Sequence, residues 1–259
     1  MRRTLRPWEG GAMDATGNET RAAWAVAARK YEDEYAEHLE LARTAELLPV
    51  EVVALGDLVT GADVVHPMSG HGLDDLALAR LGARSVHGLD YSEAAVSSAQ
   101  RRADELGLPC RYTRATLPAS GLETGCADLV YTGKGALIWL ADLDAFFTEA
   151  HRLLRPGGRI YVYEAHPLVP LWDWDADEIQ VRPDRGYFAP AHVNDTFPGN
   201  GAVERQHTLA GIVTTCLRAG FEIEELDEHP EPFWRPEGFT AAAWDGRVPN
   251  TFSLLARRA

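Results

Sequence analysis

A regular alternation of strand-like and helix-like segments, beginning at Ala62, is the feature that most constrains the fold. An apolar run leads into a turn that contains Gly70 and Gly72, and a helix-like run follows over 73–81. The next strand-like run ends at Asp90, 18 residues after Gly72. A buried strand, a glycine-containing turn, a helix and an acidic residue at the tip of the next strand form a nucleoside-binding half-fold. In such a unit the turn lets a ligand approach the backbone, and the carboxylate accepts the ribose hydroxyls.

The same alternation continues along the chain and predicts a parallel sheet with right-handed crossovers, because parallel strands need a helix between them. Ser92 is the predicted N-cap of a helix that ends before Gly107. The predicted helices are 73–81, 92–106, 143–154 and about 208–220. The predicted strands are 64–65, 86–89, 111–114, 128–131, 160–163, 222–226 and 251–256.

Three segments stand outside this alternation. Residues 1–18 are rich in Gly, Arg and small polar residues, which predicts disorder. Residues 19–60 form a predicted N-terminal helical cap, in which apolar residues recur at spacings of three and four over 19–48. Residues 166–206 are rich in Pro and aromatic residues, and a long irregular segment inside a domain is typically a functional lid. We therefore predict one domain over 19–259 with a lid insertion.

Composition excludes several classes of partner. The formal net charge is −14, which disfavours nucleic acid because a phosphate backbone needs a basic face. The three cysteines are widely spaced and form no CxxC pair, which argues for reduced thiols, and no Asp/His spacing favours a metal. No apolar run approaches the roughly 20 residues that span a bilayer, and no apolar leader follows Arg3. We predict a soluble cytoplasmic protein that does not bind membranes.

The order of these elements resembles the class I S-adenosylmethionine-dependent methyltransferases, in particular bacterial methyltransferases that act on small molecules. Gly70 and Gly72 match the second and third glycines of the family's first motif, and Asp90 matches its acidic residue after the second strand. The segments 128–131 and 153–158 match the family's fourth strand and the turn before its fifth. The resemblance implies a Rossmann-like, doubly wound α/β fold with helices on both faces. Its seven-stranded sheet would have six parallel strands and one antiparallel strand at 251–256.

The resemblance also implies S-adenosyl-L-methionine as cofactor and assigns residues to its site. The sequence departs from the motif at His66, where the family has a carboxylate, and at Met68, where it has its first glycine. Both departures concern the pose of the methionine moiety. The predicted cofactor-binding residues are His66, Met68, Gly70, Gly72, Leu73, Asp90, Tyr91, Thr116, Leu117, Gly133 and Lys134.

The predicted reaction is methyl transfer to an O, N or C nucleophile of a small molecule, and the oligomeric state stays open. His166 follows the fifth strand and His207 opens the helix after the lid, so we predict that one of them accepts a proton. Two alternatives stay open. One is a non-catalytic protein that binds S-adenosylmethionine. The other is a nicotinamide-dependent oxidoreductase, which Asp75 disfavours because it occupies the place of the third glycine of GxGxxG.

Overall fold

A central seven-stranded sheet organises the computed structural model, which describes residues 13–174, 176–235 and 240–259. The strands are β1 (Asp63–Pro67), β2 (Ser85–Asp90), β3 (Cys110–Arg114), β4 (Ala127–Gly133), β5 (Leu154–Ala165), β6 (Ala191–Val193), β7 (Val203–Arg205), β8 (Phe221–His229) and β9 (Thr251–Arg258). The helices are α1 (Met13–Ala27), α2 (Lys30–Asp33), α3 (Tyr35–Arg43), α4 (Pro49–Val59), α5 (Leu73–Arg80), α6 (Glu93–Leu106), α7 (Leu143–Leu153) and α8 (Leu209–Arg218).

The strand order of the sheet is β3-β2-β1-β4-β5-β9-β8. Only β9 runs antiparallel to its neighbours β5 and β8, so the sheet has six strands in one direction and one reversed. This confirms the predicted Rossmann-like fold. The strand order reverses between β1 and β4, and ligands of doubly wound sheets bind outside the carboxyl ends of the strands at such a point.

Apolar side chains bury both faces of the sheet. Val64 and Leu129 pack on one face with Leu55 of α4 and Leu76 of α5. The next residues along the same strands face the opposite way and pack with helices α7 and α8. Successive residues of a strand point to opposite faces, so apolar runs such as 160–163 of β5 are expected where helices cover both sides.

A charged network ties the strands together at the end of the sheet opposite the carboxyl ends. The carboxylate of Asp63 accepts hydrogen bonds from Arg84 Nε at 2.9 Å, Ser85 Oγ at 2.8 Å and Arg155 Nη2 at 3.0 Å. These hydrogen bonds, with that of Arg84 the strongest, hold the pKa of Asp63 well below its usual range, although burial acts the other way. The network joins β1 to the start of β2, with the residue before it, and to the start of β5.

The N-terminal cap differs from its prediction. The helix expected over 19–48 is divided into α1, α2 and α3, and residues 13–18, predicted to be disordered, belong to α1. Residues 1–12 of that prediction lie outside the described residues. The breaks let Tyr31 turn inward against the His71 ring, 5.2 Å between ring centroids, while Tyr35 packs outward under the guanidinium of Arg101. Tertiary packing therefore overrides the helical periodicity.

The segment 166–206 carries a short hairpin, β6 and β7, instead of being wholly irregular. Strand β7 packs against α1 and against the 3-10 turn Leu137–Trp139 that follows β4. The backbone N–H of Val203 donates to Thr20 Oγ1 at 2.9 Å, which joins the hairpin to α1. No helix in the described part of the chain has both the length and the apolar character needed to cross a membrane.

Candidate active site

The turn after β1 has a backbone that suits the close approach of a ligand. Met68, Gly70 and Gly72 all have positive φ, at 58°, 53° and 77°. A Cβ built on Gly72 would lie 2.4 Å from Tyr112 Oη, whereas a Cβ on Gly70 would meet nothing within 4 Å. Gly72 is therefore required by the close packing of Tyr112 against the turn, whereas the space beside Gly70 is open. Met68 adopts the left-handed conformation in spite of its side chain, which is typical of functional turns.

Asp90 at the end of β2 faces this turn. Its Oδ2 accepts from the N–H of Gly70 at 3.0 Å, and its Oδ1 accepts from the N–H of Ser92 at 2.8 Å. Burial raises the pKa of Asp90, while these backbone N–H groups act in the opposite direction. Each carboxylate oxygen can accept more than one hydrogen bond, so both keep capacity for the hydroxyls of a ligand. The neighbouring Tyr91 hydroxyl is buried with no hydrogen-bond partner among the described residues.

His66 is placed beneath the turn and forms a buried pair with Asp75. The two side chains are 4% and 0% exposed, and His66 Nδ1 lies 2.6 Å from Asp75 Oδ1. Burial acts to lower the pKa of His66, but the Asp75 carboxylate outweighs it and the pKa is raised. Asp75, which occupies the place of the third glycine of GxGxxG, is accommodated between α5 and the sheet because His66 pairs with its carboxylate.

Lys134 follows β4 and ties the loop there to two helices. Its Nζ donates to Asp74 Oδ1 at 2.6 Å and lies 2.9 Å from Glu51 Oε2. Burial acts to lower the pKa of Lys134, but these two carboxylates raise it overall. Glu51 is itself fully buried and accepts from the Tyr131 hydroxyl at 2.6 Å. Lys134 is therefore held as a cation and is unsuited to act as a base.

Glu164 at the end of β5 fixes the rest of the same loop. Its carboxylate accepts the N–H groups of Gly135, Ala136 and Leu137 at 2.7–2.9 Å. Burial raises the pKa of Glu164 to about 7, although the three N–H groups act against it. This side chain orders the backbone at the carboxyl end of β4, immediately beside the strand reversal.

A cavity of about 670 Å³ opens at this end of the sheet, between the loop after β4, the N-terminal cap and the 166–206 segment. Its walls are rich in aromatic rings, and polar groups from the hairpin face it. The aromatic residues that line it are Trp24, Tyr31, Trp139, Trp172, Trp174, Phe197, Phe233, Trp234, Trp244 and Phe252. An apolar pocket with a few convergent polar groups is the usual form of a small-molecule site.

His166 and His207, one of which was predicted to accept a proton, both line the cavity. His166 Nδ1 accepts from the N–H of Leu168 at 3.2 Å, and its Nε2 lies 2.8 Å from Glu228 Oε1 without hydrogen-bond alignment. His207 Nε2 donates to the carbonyl of Leu140 at 2.9 Å. Burial lowers the pKa of His207, although the carbonyls of Leu140 and Leu137 act to raise it. Each ring thus makes a hydrogen bond with a neighbouring backbone group.

The other predicted cofactor-binding residues lie around the carboxyl ends of the strands. Leu73 begins α5, and Gly133 ends β4, where an added Cβ would lie 2.3 Å from the Tyr163 carbonyl oxygen. Thr116 and Leu117 follow β3, with Leu117 packed against the core and Thr116 exposed. Of the predicted set, Lys134 lines the cavity together with the two histidines.

Sequence reasoning missed a polar pair in the hairpin. His192 on β6 and Glu204 on β7 are cross-strand partners, with Nε2 and Oε2 2.7 Å apart. Asn194 Nδ2 donates to the other carboxylate oxygen of Glu204 at 2.6 Å. The sequence signals in this region are the polar–apolar–polar order of 192–194 and the polar run 204–206, and they do not reveal which residues pair.

Comparisons with known proteins agree with this geometry. Residues 64–158 match the family model described as a methyltransferase domain. The chain is 31% identical over 185 residues to nocamycin O-methyltransferase of Saccharothrix syringae, an alignment that covers 65% of this chain and 66% of the relative. It is 33% identical over 161 residues to a 37.1 kDa protein in transposon TN4556 of Streptomyces fradiae, over 60% of this chain and 41% of the relative. The chain thus spans less than two thirds of these curated relatives.

Among solved structures, the S-adenosylmethionine-dependent methyltransferase from Mesorhizobium loti is similar at a TM-score of 0.62 and 26% identity. The match covers 80% of this chain and 97% of that one. It therefore extends beyond the segment matched by the family model and includes most of the sheet.

Proposed function

Because the chain belongs to the class I S-adenosylmethionine-dependent methyltransferases, we propose that it transfers the methyl group of S-adenosyl-L-methionine to a nucleophile of a small molecule. The observation that carries the proposal is the pairing of Asp90 with Gly70 beside the large cavity. It combines a carboxylate for ribose with a turn that leaves space for a nucleoside.

S-adenosyl-L-methionine is the cofactor of this family, and the residues present fit it. The open space at Gly70 and the remaining acceptor capacity of Asp90 suit its ribose, and the unpartnered Tyr91 hydroxyl lies beside them. When bound, the cofactor supplies a methyl group activated by the positive sulfonium. The protein's own task is then to orient the acceptor and to exclude water.

We further propose that the segment 166–206 covers the acceptor. Its hairpin is joined to α1 through the Val203–Thr20 hydrogen bond, so the lid and the N-terminal cap close one cavity from two sides. The aromatic lining favours an apolar small molecule. That nocamycin O-methyltransferase is a relative supports an oxygen nucleophile as one acceptor class.

Methyl-labelled S-adenosylmethionine tests the proposal. The purified chain is incubated with the labelled donor and a pool of small aromatic and aliphatic metabolites, and labelled products are separated from the donor by extraction. We expect label in at least one small product with wild type. We expect strongly reduced label with Asp90→Ala, because charge-assisted hydrogen bonds contribute roughly 1.5–3 kcal/mol each.

Binding and transfer are measured on the same preparation. Tight binding of S-adenosylhomocysteine with no transfer to any acceptor would identify a binding protein that lacks turnover. Transfer that is unaffected by Asp90→Ala would contradict the assignment of the ribose site. An acceptor found in the pool also defines the atom that is methylated, through the mass and fragmentation of the product.

A further inference from the structure

We propose that His192, positioned by Glu204, is the general base that takes the proton of a phenolic hydroxyl on the acceptor. This inference rests on the proposed methyl transfer and assigns its acceptor class. Both residues lie on the hairpin of the 166–206 segment, outside the seven-stranded sheet.

The geometry fixes the protonation pattern of the imidazole. His192 Nε2 lies 2.7 Å from Glu204 Oε2, and a carboxylate only accepts, so Nε2 carries the proton. Nδ1 then holds a lone pair, and no described residue gives that nitrogen a hydrogen-bond partner. A base must present such a lone pair to the substrate, and a carboxylate on the opposite nitrogen both orients the ring and stabilises its charged form.

Glu204 is itself held on its second oxygen. Asn194 Nδ2 donates to Glu204 Oε1 at 2.6 Å, and Asn194 Oδ1 accepts the N–H of Gly199 at 2.8 Å. The side chains of His192 and Glu204 are only 8% and 12% exposed. The hydrogen bonds therefore hold the two side chains in a fixed arrangement that is shielded from bulk water. Side chains of a hairpin that only faced solvent would not need this arrangement.

Among the described residues, the cavity is lined by five histidines, His38, His71, His166, His192 and His207, and their hydrogen-bond partners differ. His192 and Glu204 line the same cavity as Lys134 and Gly135, which follow β4. In contrast, His166 and His71 each use Nδ1 to accept a backbone N–H. His207 and His38 each donate to one backbone carbonyl and not to a carboxylate. Of the five rings, His192 is the one in which a carboxylate accepts from one nitrogen while no described residue hydrogen-bonds to the other.

The walls of the cavity indicate what the base acts on. Trp24 meets Trp139 and Phe197 edge to face, with centroids 5.4 and 5.3 Å apart, and Trp174 packs near Trp234 and Trp244 at 5.9 and 6.0 Å. Two groups of rings favour a planar aromatic acceptor. A phenol has a pKa of about 10 and keeps its proton at neutral pH, so a base has to take that proton as the oxygen attacks.

The step balances without a further reactant. The phenolic O–H proton moves to Nδ1 of His192, and the oxygen forms a bond to the methyl carbon. The C–S bond breaks and its electron pair stays on sulfur. The products are the methyl ether, S-adenosylhomocysteine and one proton, which His192 returns to water. No electron is gained or lost by the protein.

The test compares acceptors that do and do not need a base. At mildly alkaline pH, 2-naphthol keeps its proton, whereas 4-nitrophenol is already ionised. We expect His192→Gln to lower kcat for 2-naphthol by about a hundredfold or more and to change kcat for 4-nitrophenol by only a few fold. Gln keeps an N–H for Glu204 but lacks a basic nitrogen. Glu204→Gln should also lower kcat for 2-naphthol more than kcat for 4-nitrophenol. The decrease should be smaller than in His192→Gln, because Glu204 positions the base and does not take the proton itself.

Controls separate a structural effect from the lost base. His87→Ala removes a histidine on β2 whose ring binds Thr113 away from the cavity, and it should leave both rates unchanged. S-adenosylhomocysteine affinity, measured by calorimetry, should stay near wild type in all variants and confirms that they are folded. His166→Gln and His207→Gln are assayed in parallel.

Four results would overturn the inference. Equal losses for the two phenols in His192→Gln would mean that the residue only supports the lid. A loss confined to His166→Gln or His207→Gln would move the base to that residue. Methyl transfer by wild type to other acceptors but to neither phenol would reject the acceptor class while leaving the proposed function intact. Absence of transfer to any acceptor would reject both.

Discussion

Gly70 and Gly61 have similar backbone conformations but lie in different surroundings. Their φ angles are 53° and 73°, and an added Cβ meets nothing within 4 Å at either position. Alanine at a positive φ costs about 1 kcal/mol, so both Gly70→Ala and Gly61→Ala should lower the free energy of unfolding by that amount. Of the two glycines, only Gly70 is hydrogen-bonded to Asp90.

We therefore expect Gly70→Ala, and not Gly61→Ala, to weaken S-adenosylhomocysteine binding. Overpacking a filled site costs about 1–3 kcal/mol, which corresponds to a loss of affinity of about 5- to 150-fold. Isothermal calorimetry measures the affinities, and urea unfolding measures the stabilities. Similar affinities for the two variants would mean that the open space at Gly70 is not occupied by the cofactor.

The residues around this turn also show how far sequence reasoning reaches. Asp90 and Gly70 were predictable, because strand–turn–helix spacing determines where they meet. The compensation between His66 and Asp75 was not, because it joins a strand to a helix through side chains whose contact depends on packing. Each residue alone looks like a departure from the motif, and only the 2.6 Å contact explains both.

Among the secondary-structure elements, the two ends of the sheet have different tasks. The carboxyl ends form the cavity, and the opposite end is joined by Asp63, Arg84 and Arg155. The folded pKa of Asp63 is lowered, so its stabilising effect is present above the unfolded carboxyl pKa and is lost as pH falls through the folded value. We expect Asp63→Asn to lower the free energy of unfolding by about 1 kcal/mol at neutral pH, after allowance for solvent screening.

The difference between Asp63→Asn and wild type should shrink as pH falls below about 4. Urea unfolding across that range measures it, and Asp57→Asn on the exposed face of α4 provides the matched control. Affinity for S-adenosylhomocysteine should stay unchanged, since Asp63 is remote from the cavity. A difference that persists undiminished at acid pH would show that charge is not the cause.

The strands were the most predictable elements, since buried parallel strands read as short apolar runs between turns. The cap was less predictable, because amphipathic spacing does not reveal where a helix breaks so that Tyr31 faces inward and Tyr35 outward. The β6–β7 hairpin has only three residues in each strand. So short a pairing depends on packing against α1 and the turn after β4, which local sequence does not encode.

Across the whole molecule, the cavity is built from segments far apart in the chain. Trp24 comes from the cap, Gly135 from the loop after β4, His192 from the hairpin and Phe233 from the segment after β8. The sequence pointed to the cap, to the residues after β4 and to the lid segment, but to no site residue in the segment after β8. It also did not reveal the convergence of these segments, which follows from the strand order and from the contact of β7 with α1. Ligand binding in such a cavity should therefore stabilise the fold as a unit.

We expect S-adenosylhomocysteine to raise the melting temperature of the full chain and NADH to leave it unchanged. Ligand at about a hundredfold over its dissociation constant adds roughly 2.7 kcal/mol, which corresponds to about 5–10 °C for a domain of this size. Differential scanning calorimetry with each ligand measures the shift, and Asp90→Ala should reduce it because the ribose loses its carboxylate. A shift with NADH of similar size would favour the nicotinamide alternative. A shift with neither ligand would contradict the proposal that the open space at Gly70 binds a nucleoside.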